Sequence, residues 1–233
     1  MKLRILRMLC TGLLAGNAGA DQVRVTVRVI DVPHRELTKW MEDPAVQGRE
    51  LHDKAVKLAL AGGAEIVETN VLTVRSGKTA ELVSIAEIIY PTEMEAPVLS
   101  PNQPTGGIML SPQFPITLRP ASFTSFETRN TGVTLEVAPT LSGAGKPVDL
   151  RCSFDLIDLG QMAIFTEHRD EWGDASVRMP VFESKKIGGS LTLADGVFEL
   201  FNVFTPKPAA IPAPATRMLV FVRTDVLPIP VDE

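Results

Sequence analysis

The sequence predicts a mainly-β fold: antiparallel sheets and hairpins, with one or two helices near the N-terminus as a minor α component. Three observations lead there. Residues 23–30 (VRVTVRVI) alternate strictly between valine-type and polar side chains, the signature of a half-buried strand. Residues 148–156 (VDLRCSFDL) repeat that pattern, with Val148, Leu150, Cys152, Phe154 and Leu156 on one face. Helical spacing of apolar residues is confined to 35–42 and 46–61.

Each element has its own punctuation. Pro33 ends the first strand. In the second helical segment Leu51, Ala55, Leu58 and Ala59 form one stripe, and Gly62-Gly63 stops it. Residues 64–74 and 79–90 are β-rich on either side of Ser76-Gly77, which predicts a hairpin, and Pro91 breaks the second run. Residues 91–122 hold seven prolines and Gly106-Gly107, which predicts a long irregular loop with an apolar tip at Ile108-Met109-Leu110 and a short strand at 116–118. Residues 132–140 and 148–156 predict a strand pair turned by 142–146. Residues 189–201 predict another hairpin around Asp195-Gly196. A Pro/Ala linker at 206–215 leads into a buried final strand, 217–224.

The first twenty residues read as a secretory signal. Lys2, Arg4 and Arg7 precede the apolar run 8–16, and Ala18-Gly19-Ala20 offers a small-x-small cleavage site before Asp21. The predicted organisation is a signal peptide, 1–20, followed by one domain, 21–233. The apolar run is short of the roughly 20 residues that a membrane-spanning helix needs. Cleavage removes three of the 23 basic residues and none of the 28 acidic ones, leaving 20 against 28, a net charge of −8. Such a chain is a poor partner for nucleic acid. Only Cys152 remains after cleavage, so no internal disulfide forms. Stability then comes from the core, from oligomerisation, or from both.

The residues offer no catalytic, cofactor-binding or metal constellation. His34, His52 and His168 have no partner at ligand spacing. The charged run 167–171 around His168 reads as a solvated loop. Cys152 falls on the apolar face of its strand, where a thiol acts as a small hydrophobe. Asp155 and Asp158 lie close in sequence, and nothing marks them as an acid–base pair. No nucleophile elbow, phosphate loop or dinucleotide fingerprint occurs. The residues therefore predict no cofactor and no enzyme activity.

Five collinear segments resemble the C-terminal domain of bacterial type II and type III secretion secretins. They are 71–83 (VLTVRSGKTAELV), 86–93 (AEIIYPTE), 126–139 (FETRNTGVTLEVAP), 181–196 (VFESKKIGGSLTLADG) and 218–223 (MLVFVR). The chain differs from the family after Gly196. Val197–Phe204 lacks the family's Gly-Gly end, and the "I-P-x-L-G" element is replaced by the Pro/Ala stretch. The signal leads almost directly into this domain, so the resemblance implies a short version without the family's preceding ring domains. It also implies a non-enzymatic envelope oligomer, in the periplasm or outer membrane, serving secretion or type IV pilus assembly alongside other components. A solitary periplasmic β-domain acting as a structural or binding module is the alternative. On the oligomeric reading, 148–160 and 189–201 are long enough for tilted membrane strands, with the polar faces of Asp149, Arg151, Asp155 and Thr192 lining water.

Overall fold

The computed structural model describes residues 22–95, 98–101, 116–119, 122–142, 147–167, 169–170, 173–174, 176–206 and 215–227. In chain order the elements are β1 (Gln22–Pro33), α1 (His34–Met41), α2 (Gly48–Leu60), β2 (Glu65–Arg75), β3 (Ala80–Glu95), β4 (Val98–Pro101), β5 (Ile116–Arg119), β6 (Ser122–Leu141), β7 (Val148–Thr166), β8 (Arg169–Asp170), β9 (Gly173–Asp174), β10 (Val177–Leu193), β11 (Phe198–Phe204) and β12 (Thr216–Leu227). The mainly-β expectation holds, and so do both helices.

Two four-stranded antiparallel sheets carry the fold. The first has the order β11-β12-β1-β2, and the second β10-β7-β6-β3. β4 pairs with β5, and β8 with β9, in two small ribbons. The architecture has three layers: helices, first sheet, second sheet. Alternation in β1 decides it. Val23, Val25, Val27 and Val29 turn into the space between the sheets, where Leu135, Val137, Leu150, Cys152, Phe154 and Val222 meet them. After a register shift between Val29 and Ile30, Ile30 and Val32 turn to the helices with Leu219 and Phe221. Burying a valine or leucine in this way stabilises by about 1.5–3 kcal/mol.

The helices are short and marked by charge. Glu36 lies in the first turn of α1 and Lys39 in its last, and Glu50 and Lys57 do the same in α2, each complementing the helix dipole. Leu37 anchors α1, and Leu51 and Ala55 anchor α2. The glycine stop is present: Gly63 N donates to Leu58 O at 2.9 Å.

Several sequence expectations need correction. β2 and β3 do not form a hairpin. Ser76-Gly77 hands the chain from the first sheet, where β2 pairs with β1, to the second, where β3 pairs with β6. The turn is pinned to the second sheet by Gly77 N donating to Pro139 O and Leu141 N donating to Ser76 Oγ. Asp195-Gly196 likewise joins β10 to β11 across two sheets, so 189–201 is neither a hairpin nor a single long strand. Pro91 does not end β3. The strand continues to Glu95 with register shifts at Glu93, because β3 is an outer strand and its other side needs no donor. The described part of 91–122 is strand rather than loop, including β5, where a short strand was expected at 116–118; the tip at 108–110 lies outside the described residues. So do the signal segment and most of the Pro/Ala linker, 207–214. The β6–β7 pair forms as expected, from Leu141 opposite Val148 onward.

Candidate functional site

The second sheet is longer than the first needs for a partner. Its lower part, including 132–141, 148–156 and 187–193, covers the first sheet. Pairing of β6 with β7 stops at Gly132 opposite Ile157. Beyond that point β3 stays with β6, and β7 with β10, as two separate two-stranded ribbons. Gly132 sets the parting. Its φ is +119°, and a Cβ there would fall onto Ser84 O with Ile85 Cα at 3.0 Å, so only glycine fits.

The ribbons meet again face to face. Tyr90 of β3 and Phe182 of β10 have ring centroids 6.1 Å apart. The Arg129 guanidinium sits 4.8 Å from the Phe182 centroid, and Tyr90 Oη donates to Glu127 Oε2 at 3.1 Å. At the base of the β7–β10 ribbon, Asp158 and Glu183 stand directly opposite each other. Lys185, whose side chain is 10% exposed, bridges them at 2.7 and 3.5 Å. Asp155 pairs separately with Lys186 at 2.6 Å. These two aspartates are thus ion-paired on different lysines.

Away from the mutual contact the ribbons are apolar and open. Nine of the thirteen exposed large apolar side chains among the described residues lie on β3, β6 and β7, with Ile89, Phe126, Ile164 and Phe165 the most open. The outer strands β3 and β10 each pair on one side only among the described residues. The expected membrane-length segments are therefore misplaced. The lower part of 148–160 is core, and 189–201 changes sheets; the projecting segments are 86–95, 122–131, 157–166 and 177–186. Asp149, Arg151 and Thr192 are exposed on the lower sheet, where Thr192 Oγ1 donates to Asp149 Oδ1 at 2.7 Å; Asp155 is half-buried. That bond and another from Ser142 hold the Asp149 carboxyl below the usual carboxylate range.

The candidate reactive residues do not converge. Cys152 is buried between the sheets, and burial pushes its thiol up to about 12. His34 is exposed at the start of α1; His168 lies outside the described residues. His52 is buried under α2 against Phe198 and Phe221. Its place was partly legible, one residue after Leu51 and three before Ala55 on the helix stripe. The aromatic and arginine neighbours, from β1, β11 and β12, were not. Among the described residues no three metal-ligating side chains cluster, and no helix is long and apolar enough to cross a membrane.

No family model matches the sequence, and no curated protein matches it. Solved structures do. The chain is similar to the InvG secretin-domain β-barrel of the Salmonella SPI-1 injectisome, at 9% identity and a TM-score of 0.46, over 91% of this chain and 64% of that one. It is similar to the type II secretin GspD of enteropathogenic Escherichia coli, at 12% identity and 0.42, over 90% and 70%. It is also similar to the V. cholerae type IV competence pilus secretin PilQ, at 11% identity and 0.40, over 89% and 61%. This chain thus spans 61% to 70% of the length of these three secretin chains, and as little as 41% of the length of another secretin chain that it matches. Each of these three likenesses, from a type III, a type II and a type IV pilus system, is to a secretin.

Proposed function

We propose that the protein is a non-enzymatic, secretin-like envelope component of an outer-membrane secretion or type IV pilus assembly, working as a homo-oligomer. The second sheet carries this reading. Its outer strands, β3 and β10, are 16 and 17 residues long, and exposed apolar side chains line its projecting part. Long open edges of this kind invite uncontrolled association unless a partner covers them. β3 and β10 run in opposite directions, so β3 of one copy set against β10 of the next continues the antiparallel order. Closure of such a ring removes every edge. Each chain then contributes four strands.

Export from the cytoplasm, through the signal read in 1–20, belongs to the same proposal. Alkaline phosphatase fused after residue 25 is expected to be active outside the cytoplasm; an inactive fusion contradicts export. The absence of catalysis is supported by what occupies the reactive groups. The Cys152 thiol is held protonated, Asp155 and Asp158 are paired with lysines, and His52 is packed between aromatic rings.

The alternative, a solitary periplasmic β-domain, has two observations in its favour. The first sheet is covered on both faces within a single chain, by helices and by the second sheet. One tyrosine and two tryptophans also make a sparse girdle for a membrane barrel. Mass measurement of native complexes from the envelope, with and without detergent, separates the readings. A heat-resistant ring in detergent is the expected result. A monomer under both conditions leaves only the solitary module.

A further inference from the structure

We propose that His52 makes the docking of helix α2 onto the first sheet sensitive to acid, as a latch that holds only while the imidazole is neutral. The geometry fixes which proton the ring carries. Arg28 Nη1 lies 3.1 Å from His52 Nε2, and a guanidinium only donates, so Nε2 must present its lone pair. The remaining ring proton is then on Nδ1, which donates to Asp53 Oδ1 at 3.1 Å. A second proton has one place to go, Nε2, and there it faces the Arg28 donor head-on.

The surroundings give that proton little compensation. His52 is 5% exposed. Its ring stacks on Phe198 at 3.8 Å between centroids, with an interplanar angle of 10°, and meets Phe221 edge-on at 5.2 Å. The same Phe198 ring carries two guanidiniums, Arg28 from β1 at 5.2 Å and Arg223 from β12 at 5.6 Å. Arg223 is held by Asp225, through Nε at 2.8 Å. Arg28 makes no ion pair among the described residues, and its Nε is buried without a hydrogen-bond partner. On the helix side, Asp53 is the acid nearest the ring, and its side chain is 62% exposed, so water weakens its pull. On β11, the Glu199 carboxylate sits over Gly48 in the first turn of α2. Burial, then Arg28 and Arg223, keep His52 below its ordinary 6.5, against the opposing pull of Asp53.

An undocked ring takes up a proton as pH falls through 6.5, whereas the docked ring resists until lower pH. Docking is therefore at full strength above 6.5 and weakens below it. Leu51 and Ala55 leave the sheet with His52, so release uncovers Ile30, Leu219 and Phe221.

Amide hydrogen exchange of the full chain, corrected for intrinsic rates, tests this between pH 7.5 and pH 5. Protection of 48–60 is expected to be lower at pH 5 than at pH 7.5, while β12 stays unchanged. The His52→Phe variant keeps the stack and loses the titration, and its α2 protection is expected to be flat with pH. The His52 ring proton signal in the unaltered chain gives an independent reading, with a titration midpoint below 6.5. Arg28→Met is expected to raise that midpoint. A midpoint at or above 6.5, or α2 protection that does not change with pH, overturns the proposal.

Discussion

Tyr90 and Phe182 lie on strands that pair with different partners, yet their rings meet 6.1 Å apart and rejoin two ribbons that separated at Gly132. Arg129 lies on the same Phe182 ring, so this cluster ties the ribbons together away from the core. Phe182→Ala is expected to destabilise by about 1–2 kcal/mol, an aromatic pair plus some buried area. Urea unfolding measures it. A change under about 0.3 kcal/mol would mean that the ribbons are not held by this contact.

Gly132→Ala should cost more. The substitution forces a Cβ onto Ser84 O at a φ of +119°. The expected loss is about 2 kcal/mol or more, from backbone strain and displacement of β3. Gly188→Ala is the control, since a Cβ there meets nothing within 4 Å. Equal losses at the two positions would refute the steric account.

Lys185 lies between the facing carboxylates of Asp158 and Glu183. Lys185→Met keeps the chain length and removes the charge that separates them. Destabilisation of about 2 kcal/mol is expected, because two like charges are left opposed beside a largely covered site. Adding Asp158→Asn should restore part of it in a double-mutant cycle. Strictly additive losses would show that the lysine acts by packing alone.

The Cys152 thiol should be silent in the folded chain. It keeps its proton up to about 12, whereas an unfolded thiol releases it near 9.0. Above 9.0 the unfolded chain is thus favoured by proton release, and stability falls as pH rises. A thiol reagent at pH 8 is expected to react only after unfolding in urea. Prompt reaction in native buffer would place the thiol at an opening of the core.

The turns, most strands and the β6–β7 pair were legible in the sequence, but not the other pairings. Gly77 and Gly196 do take positive φ, as tight turns require. Where the chain goes after each turn depends on which sheet has room for the next strand. β1 offers an edge to β2, and β7 offers one to β10, over separations that alternation does not encode. Pro91 misled for a related reason: a proline stops a central strand and is harmless on an outer one. The ribbons were missed as a site because their apolar residues, such as Ile89 and Phe126, read like any half-buried face. Only the parting at Gly132 shows that no second layer among the described residues covers their outer side.

The pairing of β1 with β12 has a consequence for timing. These strands run side by side over twelve residue pairs, yet nearly two hundred residues separate them. Both faces of β1 belong to hydrophobic clusters that also need β12. A chain emerging from a ribosome or a translocation channel therefore carries its row of valines unsatisfied until the twelfth strand arrives. The hairpin of β6 and β7 closes long before that, from contacts close in sequence. The second sheet can thus organise early, while the first stays open to whatever keeps a growing chain from collapsing until the very strand that completes it is released.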